Sequence, residues 1–297
     1  MTRGPKIIFH IGLHKTATTT FQRQIFPACK DLHYLTGIYD VDKFVHAATT
    51  QDPIYFDAAF HRQQMSKYIN SGKPTLISKE ALSGAPLAGL GKRNLDHRSA
   101  ILENLQAAIP EARIILVLRR QDHLAISLYR QYLKNGGTEQ IRDFFGLPND
   151  IQPIFPLDRF RFHPYVDKTI SMFPAGVLVL IFEEFVTNRQ IFLDRLANFL
   201  GISIPEMIIT ISNETRLGSI GLETSRVINR FFRNRFNPNG LLPKIMPAVH
   251  YRWPVKGQIK SGRRIRAAAD EIFSRVKEDN RQMELQHRIG LEEFGYF

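Results

Sequence analysis

The stretch Ile7-Ile8-Phe9-His10-Ile11-Gly12, followed by Leu13-His14-Lys15-Thr16-Ala17-Thr18-Thr19-Thr20-Phe21-Gln22, decides the fold. Its apolar half is typical of a buried strand, and the hydroxyl-rich half is typical of the start of a helix. A strand that enters a helix through such a loop presents backbone N–H groups, hydroxyls and one ammonium to a single anion. The stretch therefore predicts a phosphate-binding loop, followed by a short helix that stops at Pro27.

The loop departs from the Walker A motif of nucleotide hydrolases, which reads Gly-x-x-x-x-Gly-Lys-Ser/Thr. Phe9 and His14 occupy the two glycine positions of that motif. A second interpretation stays open, in which the threonines only cap a helix, because Thr is a common N-cap residue. The succession of strand, loop and helix favours the anion site.

A second anion-binding candidate follows the apolar run at 113–118, which is typical of a buried parallel strand. Arg119 and Arg120 come directly after this run. A helix is predicted to begin with Asp122 as its N-cap and to continue to about Lys134. One face of that helix carries cations and hydroxyls at helical spacing, namely His123, Ser127, Arg130 and Lys134.

These two segments together resemble the sulfotransferases that use 3′-phosphoadenosine 5′-phosphosulfate (PAPS), in particular their bacterial and carbohydrate-directed branch. In that branch a strand reading like His-Ile-Gly-x-x-Lys-Thr-Gly-Thr-Thr runs into a helix, and Ala17 stands here where the family has Gly. The family binds the 3′-phosphate with an Arg at a strand end and a Ser eight residues later, a register that Arg119 and Ser127 match and Arg120 does not. The resemblance implies PAPS as donor, a hydroxyl-bearing acceptor and no metal requirement.

The resemblance also implies which residues form the donor site. The 5′-phosphosulfate loop would be Lys15, Thr16, Ala17, Thr18, Thr19 and Thr20. Lys15 would also be catalytic, because a compact cation beside the leaving oxygen stabilises the charge that develops there. The Arg-Lys-Gly segment that closes on the 3′-phosphate in the cytosolic branch is missing from this sequence. The candidates for that contact are Arg216, or Lys256-Gly257 together with the basic run at 260–264.

Sulfuryl transfer also needs a base for the proton of the acceptor hydroxyl. Glu80 comes directly after the apolar run at 75–78, at the sheet edge where α/β proteins bind ligands. His14 in the loop is a rival base, and the sequence leaves the choice open. We interpret His10 as a core residue, and Glu183 and Glu184 as structural carboxylates.

Apolar runs at 75–78, 113–118 and 176–182 alternate with helical stretches. This alternation predicts an α/β fold of three layers, with helices on both faces of a central, mainly parallel sheet. The 297 residues, of which 43% are hydrophobic, fit a single domain over 1–297. The segment at 231–262 carries several prolines and many arginines, which predicts an irregular, basic excursion that shapes the acceptor site.

Composition indicates the partners and the location. The single cysteine, Cys29, excludes an intramolecular disulfide, and the net charge of +12 indicates anionic partners. PAPS is one such partner, and an acidic glycan or phospholipid surface, contacted peripherally, is another. Since the sequence has neither an apolar run of about eighteen residues nor a signal-like start, we expect no transmembrane segment and a cytoplasmic location.

The nearest rival function is a nucleotide-dependent kinase that uses ATP and magnesium, with Lys15 and Thr16 on the phosphates. That function needs an acidic metal ligand at a strand end, which only Glu183 or Glu184 could supply. Nucleic-acid binding would rest on the alternating cations and aromatics at 231–236, but such Phe residues more often pack into a core. The sequence favours transfer of the sulfuryl group from PAPS to a carbohydrate or glycolipid hydroxyl, giving 3′-phosphoadenosine 5′-phosphate (PAP).

Overall fold

The computed structural model describes residues 7–69, 72–84, 97–148, 153–209, 219–234, 236–242 and 260–297. Within these ranges one sheet contains the strands β1 Ile7–Gly12, β2 His33–Leu35, β3 Thr75–Ser78, β4 Arg113–Leu118 and β5 Val177–Ile181. The strands lie in the order β2-β3-β1-β4-β5, and every neighbouring pair is parallel. Their carboxyl ends therefore share one edge of the sheet.

The helices of the described residues surround this sheet. They are α1 Thr18–Thr20, α2 Phe26–Ala28, α3 Tyr39–Thr50, α4 Ala58–Ile69, α5 His97–Ala108, α6 Gln121–Lys134, α7 Ile141–Phe145, α8 His163–Met172, α9 Phe182–Thr187, α10 Arg189–Leu200, α11 Ser219–Asn229 and α12 Lys260–His287. A π-helical turn spans Phe21–Ile25, and 3-10 turns span Pro53–Tyr55, Glu80–Ser83, Leu157–Phe160 and Glu292–Phe294. Among the described residues no helix is both long and apolar enough to cross a membrane.

Alternate residues of the strands face opposite sides of the sheet, as the two-residue period of a strand requires. Ile7, Phe9 and Ile11 of β1 join a core that includes residues of α3, α5, α6 and α12. Ile8 joins a second core with residues of the Phe21–Ile25 turn, α2, α9 and α10. Two apolar layers thus cover the two faces of the sheet, and the predicted three-layer α/β fold is confirmed.

The strand β1 occupies the centre of the sheet, between β3 and β4. All six of its residues are buried. The chain turns from β1 toward β2 and β3 on one side and later returns to build β4 and β5 on the other. A parallel sheet binds ligands outside the carboxyl ends of its strands at such a change of direction. The loop after β1 and the segment after β4 therefore frame the expected site.

Three local predictions differ from the structure. The helical stretch after the loop passes Pro27 and ends at Ala28. The helix α6 begins at Gln121, so Asp122 lies in its first turn instead of capping it, and its carboxylate accepts from the Arg120 guanidinium. The excursion predicted for 231–262 overlaps α12, which already contains 260–262. Residues 231–234 and 236–242 form turns and isolated bridges, and 243–259 lie outside the described residues.

The imidazole of His10 is packed in the core, as the sequence indicated. Its Nδ1 lies 2.7 Å from the hydroxyl of Ser78, and the rings of Phe21 and Phe26 contact it edge-on. Burial lowers the pKa of His10 to about 3. The folded chain therefore binds fewer protons at this position than the unfolded chain does between about pH 3 and about pH 6.5.

We predict that His10 makes the protein less stable as the pH falls through this window. The free energy of unfolding should fall by about 1.4 kcal/mol per pH unit from this group alone. Urea unfolding at pH 6.5 and pH 4.5 measures the effect. A His10→Gln variant should lose this part of the pH dependence, whereas a variant of the exposed His46, His46→Gln, should keep it. Equal pH dependence in His10→Gln and wild type would contradict the prediction.

The loop between β1 and α1 contains two non-glycine residues in the left-handed region, Lys15 with φ of 71° and Ala17 with φ of 59°. An L-residue there costs roughly 1–2 kcal/mol relative to the right-handed region. Glycine avoids that cost, although its greater freedom in the unfolded chain offsets part of the gain. Ala17 thus occupies a position whose backbone favours glycine.

We predict that Ala17→Gly raises the free energy of unfolding by up to about 1 kcal/mol. The matched control is Ala267→Gly at an exposed position of α12, which should lower it by about 1 kcal/mol. Urea denaturation of both variants measures the difference in sign. A loss of stability in Ala17→Gly as large as in the control would show that the loop does not hold Ala17 in the left-handed conformation.

Candidate functional site

The loop after β1 contains two buried threonines, Thr16 and Thr18. The hydroxyl of Thr16 donates to the carbonyl of Leu13 at 2.6 Å, which closes the turn. The hydroxyl of Thr18 is buried and has no hydrogen-bond partner in the described structure. A Cβ at Gly12 would lie 2.3 Å from that hydroxyl, so glycine permits its close approach to the strand. An anion in the loop would give the Thr18 hydroxyl the acceptor that it lacks.

The other threonines of the loop differ in exposure. Thr20 is buried in the first helical turn, while Thr19 is exposed to solvent. The backbone N–H groups of Thr20 and Phe21 both donate to the carbonyl of Ala17, so the helix is already formed there. The predicted loop residues therefore form one compact strand-to-helix turn.

Two residues outside the loop, Gln131 and Arg119, form hydrogen bonds with Lys15. Its ammonium donates to the side-chain oxygen of Gln131 on α6 at 2.8 Å. Its carbonyl accepts from the Nη1 of Arg119, directly after β4, at 2.7 Å. The structure thus joins the two segments that the sequence singled out, since one residue of the loop contacts both the end of β4 and the following helix.

Arg119 lies at the carboxyl end of β4 with its guanidinium 4.7 Å from the centre of the Phe182 ring. Burial lowers the pKa of Arg119, while the nearby carboxylate of Glu183 acts in the opposite direction. Within the described residues Arg119 forms no salt bridge, and its buried Nε has no hydrogen-bond partner. Its charge is therefore only partly compensated, as in a site that receives an anion.

Ser127 lies half-buried on α6, eight residues after Arg119. Gln131 follows one turn later on the same face, and it is the residue that binds the Lys15 ammonium. The sequence prediction named Ser127 but missed Gln131. The spacing of four residues from Ser127 is the signal that could have found it.

Arg120 points into a different environment. Its guanidinium binds the carboxylate of Asp122 through two hydrogen bonds of 2.9 and 2.8 Å. Its backbone N–H donates to Glu183, which also accepts from the hydroxyl of Tyr296 at 3.0 Å. Arg120 is thus a structural residue, in agreement with the register that excluded it.

The carboxylates that a metal-dependent site would need are already bound by protein donors. Glu183 accepts from Arg120 and Tyr296, and Glu184 forms an ion pair of 2.7 Å with Arg195. Both residues are structural, as expected from the sequence. In the part of the chain that the structure describes, no group of three His, Cys, Asp or Glu residues is placed to hold a metal ion.

The two candidate bases lie beside each other. The Nδ1 of His14 is 3.6 Å from a carboxylate oxygen of Glu80, which begins the turn after β3. The Nε2 of His14 lies 2.8 Å from the carbonyl of Gly84 and must be the donor, because a carbonyl only accepts. Burial lowers the pKa of His14, Lys15 and Arg98 lower it further, and Gly84 and Glu80 oppose the shift. The neutral imidazole therefore carries its lone pair on Nδ1, beside Glu80.

The structure thus brings together Lys15, the loop threonines and Arg119 on one side, and His14 with Glu80 on the other. Two candidates for closing on the 3′-phosphate, Arg216 and Lys256-Gly257, lie outside the described residues, and the basic run at 260–264 belongs to α12. The segments that follow the carboxyl ends of β1, β3 and β4, including α6 after β4, supply the described members of the site.

Comparisons with known proteins add two solved structures. No family model matches the chain, and no curated protein matches it. A sulfotransferase from Alicyclobacillus acidocaldarius is similar with a TM-score of 0.45 and 16% identity, over 77% of this chain and 94% of that one. The mouse sulfotransferase SULT7A1, solved in complex with PAP, is similar with a TM-score of 0.43 and 14% identity, over 95% of this chain and 88% of that one.

Proposed function

We propose that this protein is a sulfotransferase that uses PAPS as its donor and transfers the sulfuryl group to an acceptor hydroxyl. The observation that carries the proposal is the pairing of Lys15 with Arg119 across the carboxyl ends of β1 and β4. This hydrogen bond links the strand-end arginine of the sequence resemblance to the loop, which also carries the unpartnered hydroxyl of Thr18, and it supports the proposal that the two segments bind one ligand.

The residues present fit a donor with phosphate groups at both ends of a nucleoside. The loop offers the Lys15 ammonium and the Thr18 hydroxyl to the 5′ end. Arg119 and Ser127 would bind the 3′-phosphate, because a guanidinium and a hydroxyl are strong partners for a phosphate dianion. PAPS supplies an activated sulfuryl group when it is bound. Lys15 would then stabilise the negative charge that develops on the leaving oxygen.

The pair of His14 and Glu80 would take the proton of the acceptor. The lone pair of His14 Nδ1 is available because Nε2 donates its proton to Gly84. When Nδ1 accepts a proton, the Glu80 carboxylate 3.6 Å away stabilises the imidazolium that forms. Both candidate bases thus have a part, with His14 as the base and Glu80 as the group that favours its charged form.

Other expectations from the sequence stay predictions. They are the carbohydrate or glycolipid acceptor, the bacterial branch, the peripheral contact with anionic surfaces, the cytoplasmic location and the extent of the domain over 1–297. The rival kinase reaction would require a metal ligand at a strand end, where Glu183 is hydrogen-bonded to Arg120 and Tyr296.

We predict that the protein binds PAP without a metal and distinguishes it from adenosine 5′-phosphate through Arg119. Arg119→Ala should weaken PAP binding by roughly tenfold to a hundredfold, the worth of a charge-assisted hydrogen bond, and change adenosine 5′-phosphate binding little. Calorimetric titration with both nucleotides, with and without magnesium, measures this. Arg142→Ala, which removes a surface arginine paired with Glu271, is the control and should bind PAP normally.

Because Arg119 also binds the Lys15 carbonyl, Arg119→Lys should be titrated alongside the alanine variant. The lysine variant keeps the charge and should retain part of the preference for PAP. Tighter binding of ATP with magnesium than of PAP would contradict the sulfotransferase proposal and favour the kinase reaction.

We predict that the pKa of His14 lies below the ordinary value of about 6.5 and falls further in Glu80→Gln. Burial disfavours the imidazolium and lowers the pKa of His14, whereas the Glu80 charge favours the imidazolium. Removal of that charge should therefore lower the pKa of His14 further. Titration of the imidazole protons by NMR, assigned with a His14→Gln variant, measures both values. Glu111→Gln, at an exposed carboxylate paired with Arg62, is the control. An unchanged His14 pKa in Glu80→Gln would remove Glu80 from the proposed pair.

A further inference from the structure

The last residues of the chain are fixed beside the start of α6. After α12, three successive backbone N–H groups at 289–291 donate to the carboxylate of Glu284, which sets the direction of the segment that follows. The side chain of Tyr296 then enters the core and is fully buried. The C-terminal segment is therefore an integral part of the fold.

A pair of buried amides holds the backbone of Tyr296. Its carbonyl accepts from the side-chain nitrogen of Asn280 on α12 at 2.8 Å. The side chains of Asn280 and Gln121 exchange two hydrogen bonds of 2.6 and 3.1 Å, and both residues are fully buried. Gln121 is the first residue of α6. These contacts fix Tyr296 against the beginning of the helix that follows Arg119.

The hydroxyl of Tyr296 holds a carboxylate close to Arg119. It donates to the Oε2 of Glu183 at 3.0 Å. The same carboxylate accepts from the backbone N–H of Arg120, the residue directly after Arg119. Glu183 also follows Phe182, whose ring lies against the Arg119 guanidinium. The Glu183 carboxylate is thus near this guanidinium, and its charge opposes the lowering of the Arg119 pKa by burial.

Glu183 and Arg119 are nevertheless not paired. Within the described residues Arg119 forms no salt bridge, and its buried Nε has no hydrogen-bond partner. The carboxylate oxygens lie instead at the Tyr296 hydroxyl, at the Arg120 N–H and 3.5 Å from the Nδ1 of His123. A buried guanidinium N–H without an acceptor costs free energy, which pairing with a carboxylate would recover. The hydrogen bonds to Glu183 therefore oppose a pairing that would otherwise be favourable.

We propose that Tyr296 is a positioning residue of the donor site: it restrains the Glu183 carboxylate and so leaves the Arg119 guanidinium available to the 3′-phosphate. The inference rests on the proposed function for the identity of the anion. The restraint itself is a property of the protein without ligand. Tyr296→Phe removes only the hydroxyl, and Glu183 can then turn toward the Nε of Arg119.

The first experiment needs no ligand. The NMR signal of the Arg119 Nε–H group is assigned with Arg119→Lys and compared between wild type and Tyr296→Phe. We expect a downfield shift of this proton in Tyr296→Phe, because its nitrogen gains a carboxylate acceptor. The matched control is Tyr68→Phe, which removes a hydroxyl that donates to Asp40 at 3.1 Å on another helix, α4, and should leave the signal in place. An unchanged signal in a folded Tyr296→Phe would overturn the proposal.

The second experiment measures the consequence for the donor by calorimetric titration. Tyr296→Phe should weaken PAP binding by about tenfold and change adenosine 5′-phosphate binding little, because pairing with Glu183 competes only with the 3′-phosphate. Adding Glu183→Gln to Tyr296→Phe should restore PAP affinity to within about twofold of wild type, since a neutral amide competes far less for a guanidinium. If Tyr296 were needed only for packing, the double variant would bind PAP no better than Tyr296→Phe. That outcome would refute the restraint.

Glu183→Gln alone tests the proposal even if Tyr296→Phe does not fold. Glutamine keeps an acceptor oxygen for the Tyr296 hydroxyl and the Arg120 N–H, and it lacks the charge that competes for Arg119. Its affinity for PAP should therefore equal or exceed that of wild type. A loss of about tenfold in a folded Glu183→Gln would show that the Glu183 charge supports donor binding, contrary to the proposal.

The failure of this inference differs from the failure of the proposed function. If wild type does not bind PAP, but Tyr296→Phe shifts the Arg119 signal and Glu183→Gln reverses the shift, the donor is wrong and the restraint stands. If wild type binds PAP through Arg119, and Tyr296→Phe changes neither the signal nor the affinity, the sulfotransferase proposal stands and the positioning role of Tyr296 is wrong.

Discussion

The hydrogen bond from Arg119 to the carbonyl of Lys15 is the interaction on which the site depends. It joins the loop after β1 to the end of β4, and these two segments are neighbours only because β1 and β4 are parallel and adjacent. The loop has little freedom, since Lys15 and Ala17 both adopt left-handed backbone conformations. An anion that bound between them would meet a loop, an ammonium and a guanidinium whose positions the sheet has already set, which limits the entropy lost on binding.

Arg119 and Arg120 are neighbours in the sequence, but the fold gives their guanidinium groups different partners. Both arginines follow β4, and the sequence alone separates them only by register. Arg120 forms a two-bonded ion pair with Asp122, so its charge is compensated within the protein. Arg119 instead binds a carbonyl and stacks on Phe182 while burial lowers its pKa. A buried guanidinium with neutral partners gains more from a phosphate than an arginine that already holds a carboxylate.

The fold was predictable where local pattern and tertiary environment agree. The apolar runs that form β1, β3, β4 and β5 are long enough to predict buried parallel strands. The strand β2 was not predicted, because His33–Leu35 is three residues long and includes polar side chains at the sheet edge. The helix past Pro27 was missed for a related reason. A π-helical turn at Phe21–Ile25 alters the hydrogen-bond pattern just before the proline, which local rules do not anticipate.

The residues of the candidate site could be proposed from the sequence, but the contacts between them could not. Lys15, Arg119, His14 and Glu80 could be named because each follows a strand, and strand ends meet at one edge. Their partners are set by long-range packing: Lys15 and Gln131 are 116 residues apart, and His14 and Gly84 are 70 apart. The bond to Gly84 fixes which ring nitrogen of His14 holds the lone pair, so a backbone carbonyl decides how a side chain can act as a base. An arrangement of this kind follows from the path of the chain after β3, and no local pattern in the sequence encodes it.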